Sequence, residues 1–338
     1  MSFTYKDNTI HKKTIKGIKN VVGKIYGKAV NLIKIGSTAS PSKPNKICIE
    51  LTNRCNLNCP FCLVGQQDQK ESVAHDSIER EMSGMDMELC KKIITSARDF
   101  GLKEVNLTFQ GEPLMFKRTN FIKLVKIIKQ NGLKAIVYTN GLLLDRDYSR
   151  KIIKAGLDEC RFSVDGITQD VYALNRVGGK YSQVYQNMKD TVQVAQEERS
   201  AINIIWQFIA MRNNEHQIDE ARSIANKIGI KFEVKTFAAS VPELVPKDPK
   251  YQRALKPPPC QDIYRQVMVY WNGDVVPCCY DIEGLEIMGN LNDSSLSEIW
   301  NGSKFQIFRE RLNNVLQNPE GEPELCKGCL KYDSPSKA

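Results

Sequence analysis

The chain has 338 residues, 41% apolar and 26% charged, with a formal charge of +9, a composition that excludes collagen-like, low-complexity and disulfide-stapled miniprotein classes. Eleven cysteines, an odd number, with no transmembrane run or secretory pattern, indicate a reducing compartment where thiols serve metals, so a cytoplasmic protein is expected. Residues 1–46 hold ten lysines against one acid, Asp7; the rest balances to zero, which argues against general nucleic-acid binding, for which a basic stripe across the folded body is expected.

The pattern divides the chain at 45 and 240. Within residues 1–45, apolar positions Ile15, Ile18, Val22, Ile25 and Ala29 recur at helical spacing over 10–35 among lysines. Such a basic amphipathic helix either touches a membrane surface, making the protein peripheral, or packs its apolar face on the body or a partner chain. Pro41 and Pro44 mark a linker over 36–45. The body, 46–240, alternates strand-like runs (47–51, 104–109, 134–139, 159–164, 202–210 and 231–237) with helical ones (86–100, 119–131, 145–155, 183–198 and 215–228). Six strands separated by five helices predict parallel βα units, with functional loops at the C-terminal ends of the strands.

Directly after the first strand comes Cys55-Asn-Leu-Asn-Cys59-Pro-Phe61-Cys62. Three thiolates in so short a loop are not a disulfide set, and they fall one ligand short of a closed zinc site. Either a zinc knuckle is completed by His75 or a distant cysteine, or an iron–sulfur cluster keeps one iron open. The CxxxCxxC spacing, with an aromatic residue before the last cysteine, resembles the radical S-adenosylmethionine (SAM) superfamily. That resemblance implies a partial (βα)6 barrel of α/β class and a [4Fe–4S] cluster on Cys55, Cys59 and Cys62 whose open iron binds SAM. It further implies reductive cleavage of SAM to a 5′-deoxyadenosyl radical that abstracts hydrogen from a substrate, driven by an external flavodoxin- or ferredoxin-like one-electron donor.

By the same resemblance, Phe61, Gly111 and Glu112 of the Gly-Glu-Pro loop, Asn140, Ser163, Asp165 and Arg176 form the SAM-binding set, with Arg176 suited to the SAM carboxylate. Gln110 stands where the family usually has a first glycine. Strand alternation puts Arg161, Ser163 and Asp165 on one face, toward the barrel interior, and Cys160, Phe162 and Val164 on the other. Some family epimerases use a cysteine as hydrogen donor, for which Cys160 is a candidate that alternation turns away from the interior. Cys48 and Cys90 read as small apolar core residues, and His11, His75 and His216 as solvent-facing.

Over 241–338 the barrel pattern stops. A proline-rich stretch leads to Cys260, a Tyr270-Trp-Asn-Gly273 hairpin delivers Cys278 and Cys279, and a helical run over 294–315 returns to Cys326-Lys-Gly-Cys329. Cys260, Cys278, Cys326 and Cys329 make four thiolates, the count for structural zinc or a fully ligated cluster. The region resembles SPASM and shorter twitch auxiliary domains, small α+β units, and implies one auxiliary [4Fe–4S] cluster with Cys279 spare.

A fully ligated cluster accepts electrons, so the expected activity is net oxidation of a small polar substrate: a sugar, cyclitol or nucleotide-sugar, as in twitch-bearing aminocyclitol dehydrogenases. The alternative is a maturase acting on a ribosomally made peptide; further readings are a redox-neutral epimerase and a non-catalytic iron–sulfur protein.

Overall fold

The computed structural model describes residues 43–62, 64, 80–237, 241–254, 259–327 and 329. The basic segment expected over 10–35 and the residues His11 and His75 lie outside them. Among the described residues no helix is long and apolar enough to cross a membrane.

The strands β1 (Lys46–Ile49), β2 (Glu104–Asn106), β3 (Lys134–Thr139), β4 (Glu159–Ser163), β5 (Asn203–Ala210) and β6 (Lys231–Thr236) pair in sequence order, all parallel. Helices α1 (Met87–Phe100), α2 (Arg118–Gln130), α3 (Arg146–Lys154), α4 (Gln169–Asn175), α5 (Tyr181–Glu197) and α6 (Ile218–Ile228) make the crossovers. Their limits follow local chemistry. Asp86 accepts hydrogen bonds from the Glu88 and Leu89 amides to start α1, and Gly101, at φ +86°, ends it in the left-handed conformation. The helix α4 breaks the one-helix-per-crossover expectation, because its two turns are too short for a readable apolar period.

β2 stops three residues before the predicted end. The Thr108 hydroxyl takes over the ladder there, donating to the Tyr138 carbonyl at 3.0 Å and accepting from the Tyr138 amide at 2.9 Å. Phe109 turns away to stack on Tyr270, with ring centroids 5.4 Å apart and planes 9° from parallel.

The sheet also continues past β1. The strand β7 (Gln266–Val269) runs parallel beside β1, and β8 (Asp274–Val276) and β9 (Gly289–Asn290) follow antiparallel, giving the order β6-β5-β4-β3-β2-β1-β7-β8-β9. The expected hairpin is present, with Gly273 at φ +92° in its turn, but its first strand is shared with the barrel sheet. The predicted single helix over 294–315 is two, α7 (Leu296–Asn301) and α8 (Ser303–Asn313), parted at Gly302, whose extended backbone (ψ 161°) breaks the helical path.

Period-two alternation divides the sheet's faces. Ile47, Ile49, Val105, Ala135, Val137, Cys160, Phe162, Trp206, Phe208, Val267 and Val269 belong to one large core, and burial of that apolar area is the main stabilising term. The other face is mixed: Cys48, Met268, Tyr270 and Val276 form a small apolar cluster at the β1–β7–β8 side, whereas β3 to β6 present Tyr138, Glu159, Arg161, Ser163, Gln207 and Glu233, all half-buried.

Candidate active site

The cysteine loop leaves β1 already tethered. Asn53 donates to the Glu81 carbonyl at 2.8 Å and accepts from the Ser83 amide at 2.8 Å, while the Thr52 hydroxyl donates to the Ser83 carbonyl at 2.7 Å. Leu57 and Cys59 sink into the core and Cys55 and Cys62 stay half-buried. The Cys62 amide closes a turn on the Cys59 carbonyl at 3.0 Å. Burial pushes the Cys55 thiol up to about 12, with Glu112 and the neighbouring thiols adding to it, and the Cys59 thiol up to about 11 against the pull of Arg176. Thiols so placed ionise when a metal coordinates them. The donor set, one buried and two half-buried cysteines in one short loop with the Arg176 guanidinium beside Cys59, therefore suits a metal cluster.

Gly111, at φ +67°, lies flat against this loop: a Cβ there would fall 2.3 Å from the Thr52 carbonyl oxygen and 2.7 Å from that of Arg54. The Glu112 amide donates to Arg54 O at 2.9 Å. The Glu112 side chain is buried and fully employed: Oε1 accepts from the Thr139 hydroxyl at 2.6 Å and the Leu114 amide at 3.1 Å, and Oε2 from the Asn140 amide at 2.8 Å. Burial raises its pKa, against these three bonds. Asn140 in turn donates to Asn56 Oδ1 at 2.8 Å. The loops after β1, β2 and β3 are thus stitched together, and Glu112 acts as the strut between the second and third.

Asp165 and Arg176 form the other wall. Asp165 Oδ2 takes Arg176 Nε at 2.7 Å and Nη2 at 2.5 Å, and Oδ1 takes the Ile209 amide at 2.7 Å. Arg176 Nη1 lies 3.8 Å from Cys59 Sγ, and its Cζ 5.5 Å from the Phe61 ring centre. Burial works against both charges, yet Asp165 beside it holds the guanidinium charged. The structure therefore brings Asp165 and Arg176, from two other segments, to the cysteine loop that carries Phe61. Ser163, half-buried, ends β4 two residues before Asp165, opposite Gln207 in the ladder, and Cys160 is fully buried on the helix side with its thiol pushed up by burial.

In the C-terminal region Cys260 and Cys329 pack against the core that holds the buried Cys326. The Cys329 amide donates to Cys326 O at 3.0 Å, the same turn that Cys59 and Cys62 make. Cys278 Sγ accepts from the Tyr280 amide at 3.5 Å. Cys279 packs instead with the apolar cluster of Cys48, Met268 and Tyr270 on the mixed face.

Sequence reading missed the ion network on that face. Arg161 donates to Glu159 at 2.5 Å and Glu233 at 2.6 Å and lies 5.2 Å over the Tyr138 ring. Burial alone would raise Glu233, but hydrogen bonds from Lys231, Lys235 and Arg161 hold it at about 2. It also missed Arg80, which clamps the fully buried Glu50 at 2.9 and 3.0 Å, stacks 3.4 Å from the Tyr270 ring and donates to Ile282 O at 3.2 Å. Only the alternation of β4 and the position of Glu50 at the end of β1 hinted at either.

A parallel βα sheet with a thiolate loop at the end of its first strand, and a second thiolate set behind an added hairpin, defines an iron–sulfur enzyme of the SAM-radical class. Comparison with known families agrees: residues 49–232 match the radical SAM superfamily and residues 260–330 the SPASM iron–sulfur cluster-binding domain. The chain belongs to the radical SAM superfamily and carries a C-terminal SPASM domain, which together imply a SAM-binding [4Fe–4S] cluster and an auxiliary cluster. Among curated relatives it is 26% identical to the PqqA peptide cyclase of Gluconobacter oxydans over 329 residues, covering 87% of this chain and 84% of that one. Its fold is that of BtrN, crystallised with AdoMet and 2-DOIA (TM-score 0.55, 21% identity, covering 86% of this chain and 94% of BtrN). The fold is shared too with Streptococcus suis SuiB bound to S-adenosylmethionine (TM-score 0.65, 14% identity, covering 98% of this chain and 79% of SuiB).

Proposed function

We propose that the chain is a radical SAM oxidoreductase that removes hydrogen from a small polar substrate, a sugar, cyclitol or nucleotide-sugar, in a net oxidation for which an auxiliary cluster would supply the one-electron acceptor and solvent the proton acceptor. The observation that carries this reading is the half-buried row Tyr138, Glu159, Arg161, Ser163, Gln207 and Glu233 on the sheet face opposite the helices. It offers hydrogen-bond donors and acceptors at successive strand levels, as a polyhydroxylated ligand requires. The SAM-binding cluster, when bound, supplies the one-electron chemistry that generates the abstracting radical. Around it, Cys55, Cys59 and Cys62 hold the metal, and Phe61, Gly111, Glu112, Asn140, Ser163, Asp165 and Arg176 bind or brace SAM. Cys260, Cys278, Cys326 and Cys329 hold the auxiliary cluster. Electrons enter from a flavodoxin- or ferredoxin-like carrier.

The alignment with a peptide cyclase along 87% of the chain favours a second reading, modification of a ribosomal peptide. The test is 5′-deoxyadenosine formation by the anaerobically reconstituted protein above its substrate-free rate. Stimulation by polyols, aminocyclitols or nucleotide-sugars, lost in Arg161→Met without loss of the basal rate, supports the first reading. Stimulation by peptides alone overturns it in favour of the second.

A further inference from the structure

The Nε/Nη2 edge of Arg176, the edge that grips a carboxylate side-on, is closed by Asp165 Oδ2. A SAM carboxylate would have to displace Asp165 to take it. Nη1 is left, and it donates to Cys59 Sγ at 3.8 Å. Backbone on both sides holds the guanidinium there. Asp165 is pinned by the Ile209 amide at 2.7 Å, and the Arg176 amide donates to Tyr172 O at 2.7 Å. One residue on, Val177 O accepts from the Asn58 amide at 3.0 Å, inside the cysteine loop. The Arg176 side chain is 11% exposed and Cys59 4%, so water screens the pair little.

Hydrogen bonds to its sulfurs and the charge around it set the reduction potential of an iron–sulfur centre. Reduction adds one negative charge, so a fixed cation and an N–H···S bond favour the reduced state. Asp165 opposes this, but the cation outweighs it at Cys59: Arg176 holds that thiol down more than Asp165 raises it. Arginine suits the task, since its guanidinium keeps its charge in the interior and its planar fork reaches Asp165 and Cys59 at once.

We propose that Arg176 is a positioning residue that acts through the Cys59 sulfur to raise the reduction potential of the SAM-binding cluster, with Asp165 holding it in place. The inference rests on Cys59 ligating that cluster and is independent of the substrate reading.

The test is the midpoint potential of the SAM-binding cluster in the anaerobically reconstituted full chain. It is read by electron paramagnetic resonance on the signal that responds to added SAM, with the auxiliary cluster as internal reference. Asp165→Asn keeps Arg176 and removes an anion, so the potential does not fall. Asp165→Asn/Arg176→Met, with neither charge, is harder to reduce than Asp165→Asn by about tenfold in the reduction equilibrium, or about 59 mV for one electron, while the auxiliary potential stays where it was. Equal potentials in the two variants, or an equal shift at both clusters, overturn the proposal. Should either variant fail to load its SAM-binding cluster, the wild type decides. With arginine isotopically labelled in its guanidino nitrogens, the electron spin echo spectrum of the reduced cluster carries a coupling to the label, and an absent coupling overturns the proposal. A SAM-responsive signal retained in Cys59→Ala overturns the ligand assignment, and this proposal with it.

Discussion

Replacing Arg176 with methionine exposes what the buried pair beside Cys59 contributes. Asp165 is fully buried, and apart from the Ile209 amide its oxygens depend on Arg176 Nε and Nη2. Removing the cation leaves a carboxylate without a counter-charge in the interior, a loss of about 3–5 kcal/mol, or a melting point lower by roughly 6–15 °C. Cys59 also loses its cationic neighbour at 3.8 Å, so its thiol rises further and iron loading falls. Scanning calorimetry of the anaerobic protein at pH 7 and pH 5 is the assay. Burial raises the folded pKa of Asp165 above its unfolded value, and without Arg176 it climbs further, so the ionised carboxylate opposes folding at pH 7. The deficit therefore shrinks as falling pH protonates Asp165 in the folded variant. The double variant Asp165→Asn/Arg176→Met, lacking both charges, recovers much of the loss at pH 7. A double variant no more stable than Arg176→Met, with a deficit unchanged by pH, would refute the ion-pair reasoning.

Alanine at Cys55, Cys59 and Cys62 together lowers iron from about eight to about four per chain and abolishes 5′-deoxyadenosine formation, read by iron assay and chromatography. Alanine at Cys260, Cys278, Cys326 or Cys329 spares uncoupled SAM cleavage and blocks product, so a product-forming variant at any of them would remove that cysteine from the auxiliary set. Gly111→Ala forces a β-carbon to within 2.3 Å of Thr52 O at φ +67°; SAM-cluster iron is lost while auxiliary iron remains, as the electron paramagnetic resonance spectrum would show. Glu112→Gln keeps one acceptor oxygen for three donors and places an amide N–H against one of them, costing about 1–3 kcal/mol, with SAM binding weakened in equilibrium dialysis.

Much of the barrel is legible in the chain because its determinants are local. The run Lys134–Thr139 begins and ends where predicted, since alternation and flanking turn residues act over a few positions. The CxxxCxxC loop is legible for the same reason: its cysteines sit within one short stretch, and one turn of backbone closes Cys62 on Cys59. What the sequence conceals depends on closure. Arg176 reaches Cys59 across 117 positions, and Arg161 reaches Glu233 across 72. Neither partner can be named until parallel strands set the register, because a charged side chain finds its counter-ion by position in space. Likewise β7, read as part of a separate hairpin, pairs parallel with β1; hydrogen-bonding edges carry no partner label in a single strand, and the free side of β1 offers the ladder that buries its backbone groups. The sequence by itself determined most of the strands and helices and where the cysteines cluster along the chain. Tertiary structure alone decided which distant charges lie beside those thiols and which face of the sheet is left polar, since those depend on burial and distance rather than on neighbours along the chain.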